Sequence, residues 1–346
     1  MPATYHPLQP RSGPQLISLV IPIFNEEAML PLLFARLEKL LDALDCEGEV
    51  VLVNDGSSDH SIDLLLQRAG RDNRFKVVGL ARNFGHQMAA TAGLDIARGD
   101  AIVLMDADLQ DPPEVVLQMV EKYQEGYDVV YARRRKREGD TWVKRGTAWL
   151  FYRLMRALVH RDLPLDVGDF RLMSRSCLET LRSMRELHRF LRGMVTWVGF
   201  SQTSVDFIRP ARAAGVTKYP TRKMLLFAWN AALSFSALPL RLSFLAGFAM
   251  MAIAFVYGIY AFYRITQGAF VVPGWMSLIM INCLTSGAIL FGIGILGEYV
   301  GRIFEEIKNR PLYSISLTAN LETGGTMPHC HPGERVNLGQ SGGLLK

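Results

Sequence analysis

The chain has 346 residues, 49% of them hydrophobic, and a formal net charge of +5. That length holds one sizeable α/β domain plus a smaller module, and the small basic balance, without aromatic-interleaved basic motifs, argues against a nucleic-acid binder. The four cysteines, Cys46, Cys177, Cys283 and Cys330, have neither disulfide nor metal spacing, so a reducing cytosolic setting is expected.

Met1 to Gln15 is polar and proline-containing, without the apolar core of a signal peptide, so the domain after it is expected to stay in the cytosol. Leu16 to Pro22 reads as a strand, and Ile23-Phe24-Asn25-Glu26-Glu27 as the turn into a helix over about Ala28 to Leu44, whose leucines recur at helical spacing. Glu49 to Asn54 is the next strand, and Asp55-Gly56-Ser57-Ser58-Asp59 turns sharply into a second helix. Lys76 to Leu80 is a third strand, followed by Ala81-Arg82-Asn83-Phe84-Gly85 and a helix over Gln87 to Ala97. There is no G-x-G-x-x-G after the first strand and no phosphate-loop motif, so neither a common dinucleotide fold nor a P-loop NTPase is supported.

The next unit is the most informative. Ala101-Ile-Val-Leu-Met-Asp106-Ala-Asp108-Leu-Gln110-Asp-Pro-Pro-Glu114 is an apolar run that ends on two carboxylates, followed by an N-cap and helix-start prolines. Two readings stand side by side: the aspartates cap the turn, or with Gln110 they offer hard oxygen donors to Mg²⁺ or Mn²⁺. Successive strand-turn-helix units imply a mostly parallel sheet, whose carboxyl ends gather Asn25 and Glu26, Asp55, Arg82 and Asn83, and Asp106 and Asp108 on one crevice. Turn chemistry explains any one of these, but together they favour a nucleotide pocket.

Tyr127 to Ala132 reads as a further strand running into Arg133-Arg134-Arg135-Lys136-Arg137, a cationic run that serves either a membrane surface or a phosphorylated acceptor. Gly139 to Val159 is basic, amphipathic and aromatic-rich, suited to the headgroup plane or to packing on the sheet. Asp166 to Met173 places Asp169 and Arg171 two apart after a glycine turn. His329-Cys330-His331 lies in a glycine-rich tail and reads as a short cluster without metal chemistry.

Leu242 to Tyr263 carries no charge, and a second uncharged stretch runs from about Ala269 to Gly297; each is long enough to span a bilayer as a helix. Arg222, Lys223 and Arg241 precede the pair and Arg302, Lys308 and Arg310 follow it, whereas the connecting loop has only Arg264 at its edge, so both ends are expected in the cytoplasm. From Leu317 onward the tail is polar, glycine-rich and expected to be disordered.

At this point the chain resembles a known family. Ile21 to Glu27, Val53 to Asp59, Arg82 to Gly85 and Asp106 to Pro112 resemble the motifs of inverting family-two glycosyltransferases of GT-A fold. Gly168 to Arg175, Trp197 to Phe200, Arg212 to Lys218, Ser234 to Ser236 with Pro239 to Arg241, and Gly294 to Arg302 resemble the polyprenyl-phosphate branch, nearest to the bactoprenol (undecaprenyl-phosphate) glucosyltransferases and more distantly dolichol-phosphate mannose synthase. The resemblance covers about Leu16 to Tyr313, with Phe24 where tyrosine is frequent.

The resemblance implies a GT-A catalytic domain over 16–215 after a flexible 1–15, amphipathic juxtamembrane helices over 216–240, and membrane helices at about 242–264 and 271–297 within 241–302. A cytosolic segment over 303–346 would come next, disordered from about 317. It implies Pro22, Asn25, Glu26, Asp55, Arg82 and Asp106 at the nucleotide, and Asp106, Asp108 and Gln110 at Mg²⁺ or Mn²⁺. Arg134, Arg145, Arg212, Lys218 and Arg171 would face the acceptor phosphate, with Asp106, Asp108, Asp169 and Arg134 as the catalytic set.

The implied partners are a UDP-sugar, a polyprenyl phosphate and the inner membrane, with a homo-oligomer left open. The implied reaction moves a hexose, glucose first, to the lipid phosphate for cell-envelope glycan modification. Asp169 is expected to orient sugar hydroxyls or Arg171, because a phosphate nucleophile needs no strong base. The alternatives are the same chemistry with N-acetylglucosamine, mannose or an aminoarabinose derivative, and a non-catalytic nucleotide-binding or lipid-translocation module. A processive synthase is disfavoured by the missing Gln-x-x-Arg-Trp stretch.

Overall fold

The computed structural model describes residues 8–134, 167–207, 238–267, 274–321 and 334–335. The contacts among them divide the chain into a mixed α/β unit, which includes the segment from Pro311 onward, and a helical unit that ends at Arg310.

The α/β unit is built on strands β1 (Leu16–Ile23), β2 (Glu47–Asn54), β3 (Phe75–Leu80), β4 (Ala101–Leu104), β5 (Val129–Arg134), β6 (Val167–Ser174), β7 (Gln202–Phe207), β8 (Ile315–Ala319) and β9 (Glu334–Arg335). Between them lie helices α1 (Leu30–Ala43), α2 (Ser61–Arg71), α3 (His86–Ile96), α4 (Val115–Gln124), α5 (Arg175–Ser183) and α6 (Leu191–Trp197). The sheet order is β7-β5-β6-β4-β1-β2-β3-β8-β9. β1 pairs in parallel with β2 and β4, and β2 with β3, so the order reverses at β1, between β2 and β4. Ligand crevices open at such a reversal, outside the carboxyl ends of the strands.

The strand sequences explain the layers. Ile17, Leu19, Ile21 and Ile23 of β1 feed one core with Leu33 and Leu37 of α1, Leu65 of α2 and Met119 of α4. Val20 joins Val51 and Val53 in a second core with Ala89 and Ala92 of α3, Leu178 of α5 and Met194 of α6. A strand buried on both faces must be apolar nearly throughout, which is why β1 and β2 read as continuous runs rather than as alternating ones. Each fully buried aliphatic side chain contributes about 1.5–3 kcal/mol, so these two layers, more than any loop contact, fix the sheet.

Three features depart from the sequence reading. β6 is antiparallel to both β4 and β5, which turns the start of β6 toward the finish of β4. β5 begins at Val129 and continues into the basic run as far as Arg134; the Arg133 guanidinium pairs with Asp206 on the parallel neighbour β7 at 2.6 and 3.1 Å. The expectation of disorder from about 317 is corrected at its first residues, because β8 adds antiparallel to β3. That strand is held by its ladder, by Asn320 donating to the Ala69 and Phe75 carbonyls, and by Leu312, Tyr313 and Ile315 in the second core.

In the helical unit, α7 (Leu238–Thr266) and α8 (Trp275–Ile307) each hold a stretch long and apolar enough to cross a bilayer, Ser243–Arg264 and Met280–Ile307. Phe244, Phe255, Leu284 and Phe291 are among the many large side chains they leave exposed, unlike the core helices of a water-soluble globule. α8 runs past the expected end near 297 because nothing breaks it: Glu298 and Arg302 form an i,i+4 pair at 3.4 Å, and the helix stops only before Asn309, which takes a left-handed φ of 46°.

Candidate functional site at the strand ends

Met105 N–H donates to the Val20 carbonyl and carries β4 one residue further, so that Asp106 emerges at the order reversal. The loop beyond it is tight: Gln110 N–H donates to Asp108 Oδ1 at 3.1 Å, and Leu109 takes a φ of 54°. A leucine in the left-handed region is strained, and strain of this kind gathers where a loop has been shaped for binding. The Oδ1 atom of Asp106 is buried without a hydrogen-bond partner. Burial raises the Asp106 carboxyl above its ordinary range; nearby His86 opposes this, and Asp169 and Asp108 add to it. A half-buried carboxylate with one oxygen short of hydrogen-bond donors is suited to a cationic or hydroxyl ligand.

Antiparallel β6 brings the second carboxylate. Leu104 pairs with Arg171, so two steps further along each strand Asp106 faces Asp169. The Asp169 environment is the reverse of that around Asp106. Arg192 of α6 grips it with both arms, Nε to Oδ1 at 2.7 Å and Nη2 to Oδ2 at 3.1 Å. From beneath, Arg171 Nη2 donates to Oδ1 at 3.3 Å, and the same guanidinium holds the Gly168 and Asp169 carbonyls. Burial alone would raise the Asp169 carboxyl, but bonding to His86 and Arg192 and the charges of Arg192 and Arg171 hold it far below the usual carboxylate range.

His86, the first residue of α3, stands between the two carboxylates. Its Nε2 lies 3.5 Å from Asp106 Oδ1 and 3.6 Å from Asp169 Oδ2. Burial lowers its basicity, but Asp169 and Asp106 raise it further, so the net shift favours the imidazolium.

The upstream loops form a connected rim. Asp55 is buried and accepts the Phe84 and Gly85 N–H groups at 2.7 and 2.9 Å; burial nonetheless leaves its carboxyl raised. Gly56, at φ +62°, packs so closely that a Cβ would lie 2.6 Å from the Asn83 nitrogen, so a side chain here would push the two loops apart. Asn25, left-handed at φ 54°, accepts the Ser58 N–H at 2.8 Å and donates its own to Ser57 Oγ at 3.0 Å. Glu26 N–H donates to Ser61 Oγ at 3.1 Å, and Pro22 sits beside Val53 in the β1–β2 ladder. Arg82 is exposed and stacks its guanidinium 4.1 Å above the Phe84 ring.

The structure therefore brings Asp106, Asp108 and Asp169 together and sets Asn25, Asp55 and Arg82 on adjoining loops. Gln110 belongs to the Asp108 turn, but its side chain is buried. Arg171, expected at the acceptor phosphate, is corrected by its burial: it is 0% exposed, lies 5.2 Å from the Tyr131 ring, and turns Nε and Nη2 to Asp169 and backbone carbonyls, while Nη1 is buried without a hydrogen-bond partner. Arg134 ends β5, while Arg145, Arg212, Lys218 and the juxtamembrane stretch as far as 237 lie outside the described residues. His86 and Arg192 were missed. His86 directly follows the Arg82 to Gly85 motif, a signal that could have found it, whereas nothing in the spacing ties Arg192 to Asp169.

Among the described residues no cluster of three or more His, Cys, Asp or Glu side chains is arranged to hold a metal by itself. Asp106 and Asp108 fit a divalent ion only in part, and the remaining positions would fall to a phosphorylated ligand and water.

Comparison with known proteins gives the family. Residues 18–182 match the model of the glycosyl transferase family 2, and residues 238–303 match a GtrB C-terminal hairpin. The chain is 45% identical over 305 residues to the uncharacterized glycosyltransferase YkcC of Bacillus subtilis, covering 88% of this chain and 94% of that one. It is 41% identical over 306 residues to the uncharacterized glycosyltransferase sll0501 of Synechocystis, covering 88% and 96%. It is 39% identical over 299 residues to the bactoprenol glucosyl transferase of Shigella phage SfII, covering 86% and 97%.

Proposed function

Because the chain belongs to the family 2 glycosyltransferases, with a GT-A catalytic unit followed by an apolar helical hairpin, we propose that it transfers glucose from UDP-glucose to undecaprenyl phosphate, with inversion, at the cytosolic face of the inner membrane. The observation that carries this reading is the union in one chain of the Asp106/Asp108 loop at a sheet reversal with two long helices that expose their apolar surface. A nucleotide sugar is water-soluble and a polyprenyl chain is not, so an enzyme joining them needs both surfaces. The relative that is named for bactoprenol supports the lipid and the glucose.

In this reading the nucleophile is a phosphate-monoester oxygen whose second pKa is about 6, already largely dianionic at cytosolic pH. Deprotonation is thus no obstacle, and the chain's task is to align two anions and relieve their repulsion. Pro22, Asn25, Glu26, Asp55 and Arg82 would frame the base, ribose and diphosphate. Asp106, Asp108 and Gln110 would hold Mg²⁺ or Mn²⁺, which when bound supplies Lewis-acid stabilisation of the leaving diphosphate. Arg134, Arg145, Arg212 and Lys218 would receive the acceptor phosphate. Asp169, held as an anion, would accept hydrogen bonds from sugar hydroxyls.

Topology is set by connectivity. β8 lies in the same sheet as β1 to β7, which supports a reading in which the two helices cross the membrane and return the chain to the side where it entered. Arg302, Lys308 and Arg310 after the second helix, against Arg264 alone near the connecting turn, support the cytosol as that side.

The test is thin-layer separation of lipid-linked product after incubating the full chain in detergent with short-chain polyprenyl phosphate and a panel of labelled nucleotide sugars. UDP-glucose should give a charged glycolipid that requires a divalent metal. Product from another sugar alone would correct the donor; release of free sugar with no glycolipid from any donor would overturn the acceptor.

A further inference from the structure

The two carboxylates that meet across β4 and β6 are held unequally, and the cause is one residue from a distant helix. Asp169 is 8% exposed and takes three hydrogen bonds from two guanidinium groups, whereas Asp106 Oδ1 takes no hydrogen bond; the His86 imidazole stands between them, 3.5 Å from Asp106 Oδ1 and 3.6 Å from Asp169 Oδ2. Of the two guanidinium groups, Arg171 is buried beneath and reaches only Oδ1 of the carboxylate, so it leaves the group free to rotate. Arg192 alone contacts both oxygens. A planar fork on a planar carboxylate fixes its rotation as well as its charge, which one ammonium group cannot do.

The placement of Arg192 supports the same conclusion. It is the second residue of α6, a helix anchored by Leu191, Met194 and Val195 in the second core and by Leu191 N–H donating to Gln87 Oε1. Gln87 adjoins His86 at the start of α3, so the helix that carries the fork is tied to the helix that carries the imidazole. The side chain is 40% exposed, and its two-armed grip on Asp169 turns the guanidinium toward the site.

We propose that Arg192 is a positioning residue: it locks the Asp169 carboxylate in the one orientation that presents it to the donor sugar opposite Asp106. This rests on the reading of the crevice as the sugar site. Arg192 acts through Asp169, so its contribution should vanish when Asp169 can no longer use it.

The experiment is a double-mutant cycle on the full chain in detergent with Arg192→Met, Arg192→Lys, Asp169→Asn and the double variant Arg192→Met/Asp169→Asn. Arg192→Met should lower kcat about 100-fold, the scale of a misplaced catalytic contact, with KM for the nucleotide sugar changed less than about threefold. Arg192→Lys should recover little, because it restores charge and not the fork. Millimolar guanidinium, and not methylammonium, should partly restore Arg192→Met. The double variant should be no slower than Asp169→Asn. If the two losses multiply instead, Arg192 touches substrate itself and the proposal is overturned.

The contact is also read without turnover, by tracking the Arg192 Nε–H resonance in ¹⁵N-labelled protein. It should move strongly in Asp169→Asn; an unmoved signal overturns the clamp whatever the substrate proves to be. A moved signal in a protein that transfers no sugar would instead fault the proposed function alone.

Discussion

Two carboxylates at opposite ends of the same parallel strands, one fully buried and one with a single buried oxygen, have opposite fates. Glu49, near the start of β2, is 4% exposed and fully engaged: Ser18 Oγ, the Arg98 N–H and the Lys76 ammonium all donate to it. Burial works against its charge, but those bonds prevail and its pKa is lowered. Asp106, beyond the finish of β4, has a buried oxygen with no donor, and its pKa is raised. The end with satisfied groups closes the α3–β4 connection onto the sheet, since Ser18 Oγ also receives the Gly99 N–H at 2.7 Å. At the other end, polar capacity is kept open for a ligand. At the crevice, a buried carboxylate oxygen without a hydrogen-bond partner is where stability is traded for ligand binding in this reading.

The comparison makes its largest prediction at the open end. Asp108→Ala should cut transfer by about 10³-fold or more, the several kcal/mol that a bound divalent ion contributes to a charged transition state. Asp106→Asn should do the same while leaving the thermal unfolding midpoint unchanged or raised, because it removes a carboxylate whose Oδ1 takes no hydrogen bond and whose charge is disfavoured by burial, Asp169 and Asp108 against the pull of His86 and Arg192. Steady-state turnover and calorimetry on the same preparations decide it. Full activity in either variant, or a folding defect in Asp106→Asn, would break the contrast.

The closed end should behave in the opposite way. Glu49→Ala strands the Lys76 ammonium, the Ser18 hydroxyl and the Arg98 N–H, and should destabilise the α/β unit by about 3 kcal/mol while the folded fraction keeps its kcat. The pH dependence has a definite sign. A carboxyl with a lowered folded-state pKa adds stability that is fully present above its unfolded value near 4.3 and is lost as pH falls through the folded value. Acid should therefore narrow the gap in unfolding midpoint between wild type and Glu49→Gln, and the gap should be widest at neutral pH. A gap that grows below about pH 4 would show that the Glu49 network is not what holds this end.

Much of the open end was legible in the sequence. β1 to β4 are short apolar runs, each closed by Asn, Asp, Gly or Pro, and the order of four such units makes the strand ends converge. The Asp106/Asp108 loop stood out because two carboxylates interrupt an apolar run. The pairing of Asp106 with Asp169 was not legible, because it depends on β6 running antiparallel, and no local pattern distinguishes a parallel from an antiparallel neighbour. For the same reason Arg171 was assigned to a phosphate: the chain shows an arginine two residues after an aspartate, and only the sheet shows that it is buried. β8 escaped because it is buried mainly at its two ends, Ile315 and Ala319, and its periodicity is too weak to separate it from a polar tail.

β8 also supplies the smallest effect and the finest test of the contrast. The Tyr313 hydroxyl donates to Asp95 Oδ2 at 2.7 Å, on a carboxylate that Arg185 already grips at 2.9 Å through both oxygens. This buried acid, like Glu49, is satisfied by more than one donor and lies away from the strand-end crevice. Tyr313→Phe removes one donor and leaves the ring in the second core, so Asp95 keeps its arginine. The expected loss is about 1 kcal/mol, the net worth of one hydrogen bond to a charged acceptor that retains another, with no change in kcat or in KM for the nucleotide sugar. Denaturant unfolding and steady-state kinetics measure the two quantities separately. A larger loss of activity than of stability would mean that docking of the post-hairpin segment is coupled to the crevice, and the division between closed structural groups and open functional ones would then fail at its most ordinary member.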